Sequence, residues 1–202
     1  MSERLKYTSY LAHPMEHSRA DEIEKAVAEI KAGLNFRDLG IYIPDEQEAI
    51  KVGKQPGEQG EYIRGLKKAG HWEIFHKEMW KIWFGKLSDN SDILEVLKTL
   101  RMIKHIHGNR KEDFEKFGDF EAVVRSDFII VYLPDMKTVG THWEILFAAL
   151  NRIPVYVILP DTTKTDANST MLFGVMKLSS GEIFYSIQEC VKYIVKKYNL
   201  KN

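Results

Sequence analysis

The sequence predicts an α/β protein with a mainly parallel sheet, on three observations. The first lies in Asp127 to Pro160. An apolar, β-branched run from Phe128 to Leu133 is stopped by Pro134, a helical stretch opens at Gly140-Thr141, and a second apolar run from Pro154 to Leu159 is stopped by Pro160. Such runs read as strands buried on both faces, and strand-helix-strand is a βαβ unit whose crossover should be right-handed. The second is the same alternation near the start of the chain, across Lys6 to Pro44. The third is a residue out of place: Glu144 in the first turn of that helical stretch, just past the carboxyl end of a central strand, where open α/β sheets bind ligands.

In order along the chain, Lys6 to Ala12 is a short aromatic strand running into the turn His13-Pro14-Met15. Ser18 to Leu34 has helical periodicity, with Ile23, Ala26, Val27, Ile30 and Leu34 on one face, and Ser18 with Asp21 resembles an N-capping pair. Leu39 to Pro44 is the second strand. Residues 45–70 are polar and hold five glycines and Pro56, so a loop or mobile flap is expected there. His71 to Leu87 is an aromatic-loaded helix with Trp72, Phe75, Trp80, Trp83 and Phe84, and Asp92 to Ile106 is another. Together they suit a helical hairpin between strands two and three. Its aromatic stripe fits either core or subunit packing, or a lid stacking on a flat ligand. Lys111 to Arg125 is expected as one helix, Phe173 to Leu178 as a last strand, and Ile187 to Tyr198 as the closing helix.

Composition narrows the class. At 202 residues, 44% hydrophobic and 29% charged, the chain suits one globular domain with an inserted piece. A net charge of zero argues against coating a nucleic-acid polymer or a membrane surface. The single cysteine, Cys190, excludes an intrachain disulfide and a multi-cysteine zinc site. The first fifteen residues lack the apolar core of a signal peptide and no apolar run approaches the length of a membrane span, so a cytoplasmic location is expected.

Glu144 admits two readings, a helix-capping glutamate or a nucleophile. A helix N-terminus favours the ionised carboxylate, so an anion at neutral pH is expected. Tyr10, at the end of the first strand, is placed to reach and orient Glu144, because strands one and three are neighbours in a doubly wound sheet. Asp119, eight residues before Asp127 and set among phenylalanines, is a second carboxylate for the cleft. Two carboxyl groups and a tyrosine suit glycoside chemistry, in which one attacks the sugar carbon and the other protonates the leaving group.

These residues resemble the nucleoside 2-deoxyribosyltransferase family. The resemblance rests on Tyr10 in Tyr-Leu-Ala-His-Pro-Met, on Asp119 and Asp127, on Pro134-Asp135, and on Gly140-Thr141-His142-Trp143-Glu144. It covers about 1–44 and 110–178; residues 45–109 have no counterpart. It implies a flavodoxin-like, doubly wound sheet of five mainly parallel strands with a helical insertion between strands 2 and 3. Residues 1–202 then form one deoxyribosyltransferase-like domain, with 45–109 as flap and insertion. Glu144 would form a covalent glycosyl-enzyme, Asp119 would serve the departing base, and Tyr10 would hold the nucleophile. A nucleoside or nucleotide and a free nucleobase are the implied partners, in a homo-oligomer sharing active sites, with no cofactor.

One departure bears on the substrate. Family members acting on free nucleosides carry an aspartate six residues before the nucleophile, and here that place is Thr138; an asparagine from a neighbouring subunit aligns with Ser169, beside Asn168. Hydroxyl groups donate to a phosphate that an aspartate would repel. Arg19, nine residues after Tyr10, matches an arginine of relatives that hydrolyse nucleoside 5′-monophosphates, or else is a solvated helix residue. Gly140 opens the nucleophile's helix. His13, in the first turn after a strand, fits a sugar or phosphate contact or a structural turn. His105 and His107 suit metal binding or a frayed helix end, and no third ligand is placed to join them. Transfer, nucleotide hydrolysis, a nucleotide sensor and an interaction module built on the aromatic insertion remain the alternatives.

Overall fold

In a computed structural model of the chain, residues 5–14, 20–55, 58–90, 92–103, 111–134, 140–160 and 170–201 are described. Five strands, β1 (Tyr7–Ala12), β2 (Leu39–Tyr42), β3 (Phe128–Tyr132), β4 (Val155–Ile158) and β5 (Glu182–Phe184), form one sheet in the order β2-β1-β3-β4-β5. Every neighbouring pair is parallel. This is the flavodoxin-like, doubly wound arrangement. Its topological switch point lies where connections from β1 and β3 leave in opposite directions.

All residues of β3 and β4 are buried, which is why these strands are continuous apolar runs. Their side chains alternate. Ile129, Val131, Val155 and Val157 enter one core, while Phe128, Ile130, Tyr156 and Ile158 enter the other. Helices α1 (Ala20–Gly33) and α9 (Ile187–Lys197) cover the second face with Ile23, Ala26, Ile30, Cys190 and Ile194. Helices α6 (Asp119–Arg125), α7 (Gly140–Leu150) and α8 (Thr170–Ser179) cover the first with Val123, Ile145, Ala148 and Met176. Ile30 and Ile194 are fully buried, so cutting either to alanine costs about 2–5 kcal/mol.

Between β2 and β3 the chain inserts α2 (Pro44–Lys51), α3 (Gln59–Lys68), α4 (Trp72–Phe84) and α5 (Ile93–Ile103), with 3-10 turns at Lys86–Asp89 and Lys111–Lys116. The loop expected over 45–70 is therefore largely helix. Pro44 presets the first turn of α2, Asp45 and Glu46 match its positive end, and Lys51 its negative end. Helix α3 carries Gly60 and Gly65 in its interior and is held by burial of Gln59 and Ile63. Helices α4 and α5 meet in a satellite core of Phe84, Val96 and Leu100 that docks on Val124 of α6. Rings continue this core from Trp80 and Phe84 to Phe120 and Phe147. Packing thus accounts for Trp80 and Phe84, while Trp72 and Trp83 are exposed.

Two further expectations are corrected. The single helix expected over Lys111 to Arg125 breaks at Phe117-Gly118, so Asp119 begins a new helix. The strand expected over Phe173 to Leu178 lies inside α8, where Val175 and Met176 are buried and Leu178 faces out; the last strand is β5. Among the described residues no helix is long and apolar enough to cross a membrane.

Candidate active site

The switch point is occupied by two tyrosine–carboxyl pairs. Tyr10, in β1, is wholly buried and points to the face that α7 covers. Its Oη donates to Glu144 Oε1 at 2.5 Å, across 134 positions of sequence. Helix α7 begins at Gly140 and has no acidic residue in its first turn, so Glu144 opens the second turn. Helix α7 packs on β3 and β4, on the face to which Tyr10 projects, and so sets Glu144 within reach of the Tyr10 hydroxyl.

The second pair is Tyr42 and Asp119. Tyr42, at the end of β2, donates from Oη to Asp119 Oδ1 at 3.1 Å and lies 3.2 Å from the Phe117 carbonyl. Lys51 Nζ, at the end of α2, donates to Tyr42 Oη at 2.5 Å and lies 3.7 Å from Asp119 Oδ1. Both side chains of that ion pair are nearly buried, each 6% exposed. Glu48, one turn before Lys51, is also buried, and its carboxyl group interacts electrostatically with both Asp119 and Lys51. The Tyr10 and Tyr42 rings stack, so the two pairs form one assembly.

Burial dominates the electrostatics. Glu144 is pushed up to about 8, first by loss of solvent and then by the Asp119 carboxylate, with the Tyr10 hydrogen bond pulling the other way. The anion expected from the helix dipole is corrected here. Glu144 sits beyond the first turn, and desolvation beside like charges outweighs the dipole. Burial also raises Asp119, against Lys51 and Tyr42, and raises Glu48 well above the carboxylate range. Lys51 is lowered by burial, opposed by Asp119 and Glu48. With one lysine among Asp45, Glu48, Asp119 and Glu144, the cluster retains protons rather than ionising completely. Two carboxyl groups in unequal surroundings, each held by a tyrosine, can divide the roles of nucleophile and acid.

The structure brings Tyr10, Asp119 and Glu144 together. Gly140 is exposed at the start of α7. His13 is buried beyond the end of β1, with Nε2 3.7 Å from Asp45 Oδ2, and neither ring nitrogen has a hydrogen-bond partner among the described residues. Arg19, Thr138, Asn168 and Ser169 lie outside the described residues, as do Ser18, His105 and His107. The sequence reading missed Tyr42, Asp45, Glu48 and Lys51. The available signals were Tyr42 at a strand end beside β1, and the spacing of Glu48 and Lys51, which shares one helix face.

No protein-family profile and no curated protein matches the sequence. Among solved structures, a conserved protein from Enterococcus faecalis V583 is similar over 95% of this chain and 98% of that one, at 15% identity and a TM-score of 0.50. A CMP N-glycosidase of Clostridium botulinum is similar over 93% of this chain and 97% of that one, at 11% identity and a TM-score of 0.44. At these identities the likeness is one of fold.

Proposed function

We propose that this protein cleaves the N-glycosidic bond of a (2′-deoxy)nucleoside or nucleotide, in the manner of a nucleoside 2-deoxyribosyltransferase. The observation that carries the reading is the 2.5 Å hydrogen bond from Tyr10 Oη to Glu144 Oε1, at the mouth of a parallel sheet. A carboxylate oxygen of Glu144 attacks the anomeric carbon while the bond to the base nitrogen breaks and its electron pair leaves with the base. Asp119 gives that base a proton. The glycosyl–Glu144 ester is then opened by a second base, which is transfer, or by water, which is hydrolysis. Glu144 and Asp119 supply the nucleophile and the proton, so the scheme calls for no cofactor.

Residues 1–202 serve in this reading as one domain, with 45–109 inserted beside the site. Hydrolysis of nucleoside 5′-monophosphates is the second reading, favoured by Thr138, Ser169 and Arg19 in the sequence. Trp143, next to Glu144, is 60% exposed, which supports a homo-oligomer meeting near the site.

The test is incubation with purine and pyrimidine deoxynucleosides and their monophosphates, with and without a second free base, followed by chromatography. A new nucleoside indicates transfer, and free base with sugar phosphate indicates nucleotide hydrolysis. Intact substrates throughout, or a Glu144→Ala variant as fast as wild type, would overturn the proposal.

A further inference from the structure

Helix α2 lies, past Pro44, in the part of the chain that the family resemblance does not cover, yet it sends a buried ammonium group to the proton donor of the proposed mechanism. Lys51 Nζ donates to Tyr42 Oη at 2.5 Å and lies 3.7 Å from Asp119 Oδ1. By occupying an acceptor lone pair of the Tyr42 hydroxyl, the ammonium leaves that hydroxyl as a donor, and Asp119 Oδ1 lies 3.1 Å away. The Lys51 Nζ also sits 5.2 Å from the centre of the Tyr42 ring. Lysine side chains are rarely withdrawn from water, and here the amine has lost its hydration for these partners.

We infer that Lys51 is the positioning residue for leaving-group departure: acting directly and through Tyr42, it stabilises the carboxylate that Asp119 becomes on giving its proton to the base. This deepens the N-glycosidase reading and rests on it. In the balanced step Glu144 forms the bond to the anomeric carbon, the bond to the base nitrogen breaks, and the Asp119 proton moves to the base. Negative charge passes from Glu144 to Asp119, and Lys51 keeps its proton throughout. A preorganised cation aimed at a charge that develops during reaction favours the transition state over the ground state. In the second half, the attacking water or base returns a proton to Asp119, and the charge returns to Glu144.

The groups facing Asp119 come from every side. Lys51, Glu48 and Asp45 are on α2, Tyr42 is on β2, Tyr10 is on β1 and Glu144 is on α7. Lys51 is the cation among them, and Glu48 gives it a second anionic partner when ionised. The assignment of Lys51 therefore predicts an effect on one step, base departure, that general loss of packing would not reproduce.

The experiment compares wild type, Lys51→Met, Lys51→Arg and Glu144→Ala on two substrates. One is the nucleoside or nucleotide cleaved fastest, whose base leaves with a proton. The other is the 4-nitrophenyl glycoside of the same sugar, whose leaving group departs as a stable anion. Lys51→Met should lower kcat about 10–100-fold on the first and change the second by no more than about twofold, with KM little changed on either. Lys51→Arg should recover part of the loss. In parallel, carbon-detected NMR of labelled aspartate should show Asp119 titrating at higher pH in Lys51→Met than in wild type, with no turnover needed. Equal losses on both substrates, no loss on either, or an unmoved Asp119 titration would each overturn the inference, even with the N-glycosidase reading intact. Failure of that reading is distinguishable, since wild type would then cleave neither substrate, or Glu144→Ala would cleave both.

Discussion

Tyr10 and Tyr42 are register partners on neighbouring parallel strands, and their rings stack with centroids 5.3 Å apart and 14° between planes. Partners in register project to the same face of a sheet, so both hydroxyl groups emerge under α6 and α7. One reaches Glu144 and the other Asp119. The stack thus ties the placement of two carboxyl groups to the register of β1 against β2. Both tyrosines of the site stand on paired strands of the sheet.

Tyr10→Phe keeps the stack and removes only the hydroxyl. Its absence leaves Glu144 Oε1 without the donor that orients it and that lowers its pKa. On the proposed mechanism kcat should fall roughly 100-fold with KM little changed. Stability should fall by only about 1–2 kcal/mol, the cost of one buried hydrogen bond. Steady-state kinetics and urea unfolding check both numbers. An unaltered kcat would remove Tyr10 from the mechanism.

The position of Glu144 near 8 gives a pH prediction with two separable parts. A nucleophile must be ionised, so kcat/KM should climb as pH rises from 6 towards about 8. Stability should move the opposite way. A carboxyl group raised from 4.5 to about 8 in the folded protein binds a proton there that the unfolded chain has released. Its contribution is complete below about 4.5 and is lost as pH rises through about 8. Glu144→Gln lacks this titration. Its stability relative to wild type should therefore improve on going from pH 5 to pH 9, by roughly a few kcal/mol, in urea melts at the two values. A difference that stays constant with pH would show that Glu144 titrates in its ordinary range.

The legible parts were those that local pattern determines. Buried strands announced themselves as apolar runs, and Tyr10, Asp119 and Glu144 by residue type, order and spacing. Lys51 and Glu48 were hidden because their meaning depends on α2 being a helix. Pro44 was read there as the end of a strand, and Gly53 with the glycines of α3 suggested a loop. Tyr42 gains its role only from the parallel register with Tyr10, a long-range fact that periodicity does not contain. The run Phe173 to Leu178 illustrates the ambiguity of short apolar stretches, which suit a buried strand and one face of a helix alike. The ionisation of Glu144 was misjudged for a similar reason. A dipole is a local property, whereas desolvation by α6, β1 and β2 is a tertiary one.

Asp127 has a structural task beside the site. Its Oδ2 accepts from the Thr8 backbone N–H at 2.8 Å and lies 3.4 Å from Thr8 Oγ1, tying the start of β3 to β1. The Thr8 hydroxyl also donates to the Arg125 carbonyl at 2.8 Å. Asp127→Ala leaves a mostly buried N–H unpaired, which should cost about 1–3 kcal/mol. The register is also pinned by the Ser9–Phe128 to Ala12–Val131 pairs, so the folded variant should keep its turnover. Thermal unfolding and activity at low temperature test this together. Loss of activity in a fully folded variant would indicate that Asp127 acts in the site itself.

The insertion grips the site at a backbone crossing. Gly85, which ends α4, pairs in an isolated antiparallel bridge with Phe117, two residues before Asp119. Its φ of 53° and ψ of −128° lie in a region essentially closed to residues with a side chain. A Cβ there would stand 2.4 Å from the Gly118 nitrogen, 2.6 Å from the Lys116 oxygen and 2.8 Å from the Phe117 carbonyl carbon. All three are backbone atoms, so no side chain can swing aside. Gly85→Ala should therefore cost more than about 3 kcal/mol, combining conformational strain with overpacking. Because Gly118 caps α6, the displacement should also move Asp119 and reduce kcat in whatever fraction stays folded. Gly65→Ala is the matched control. Gly65 lies inside α3 with nothing within 4 Å of its Cβ, so that change should stabilise the protein by up to about 1 kcal/mol. Urea unfolding of both variants, with kcat measured on the same samples, would falsify the crossing's role if Gly85→Ala matched the control.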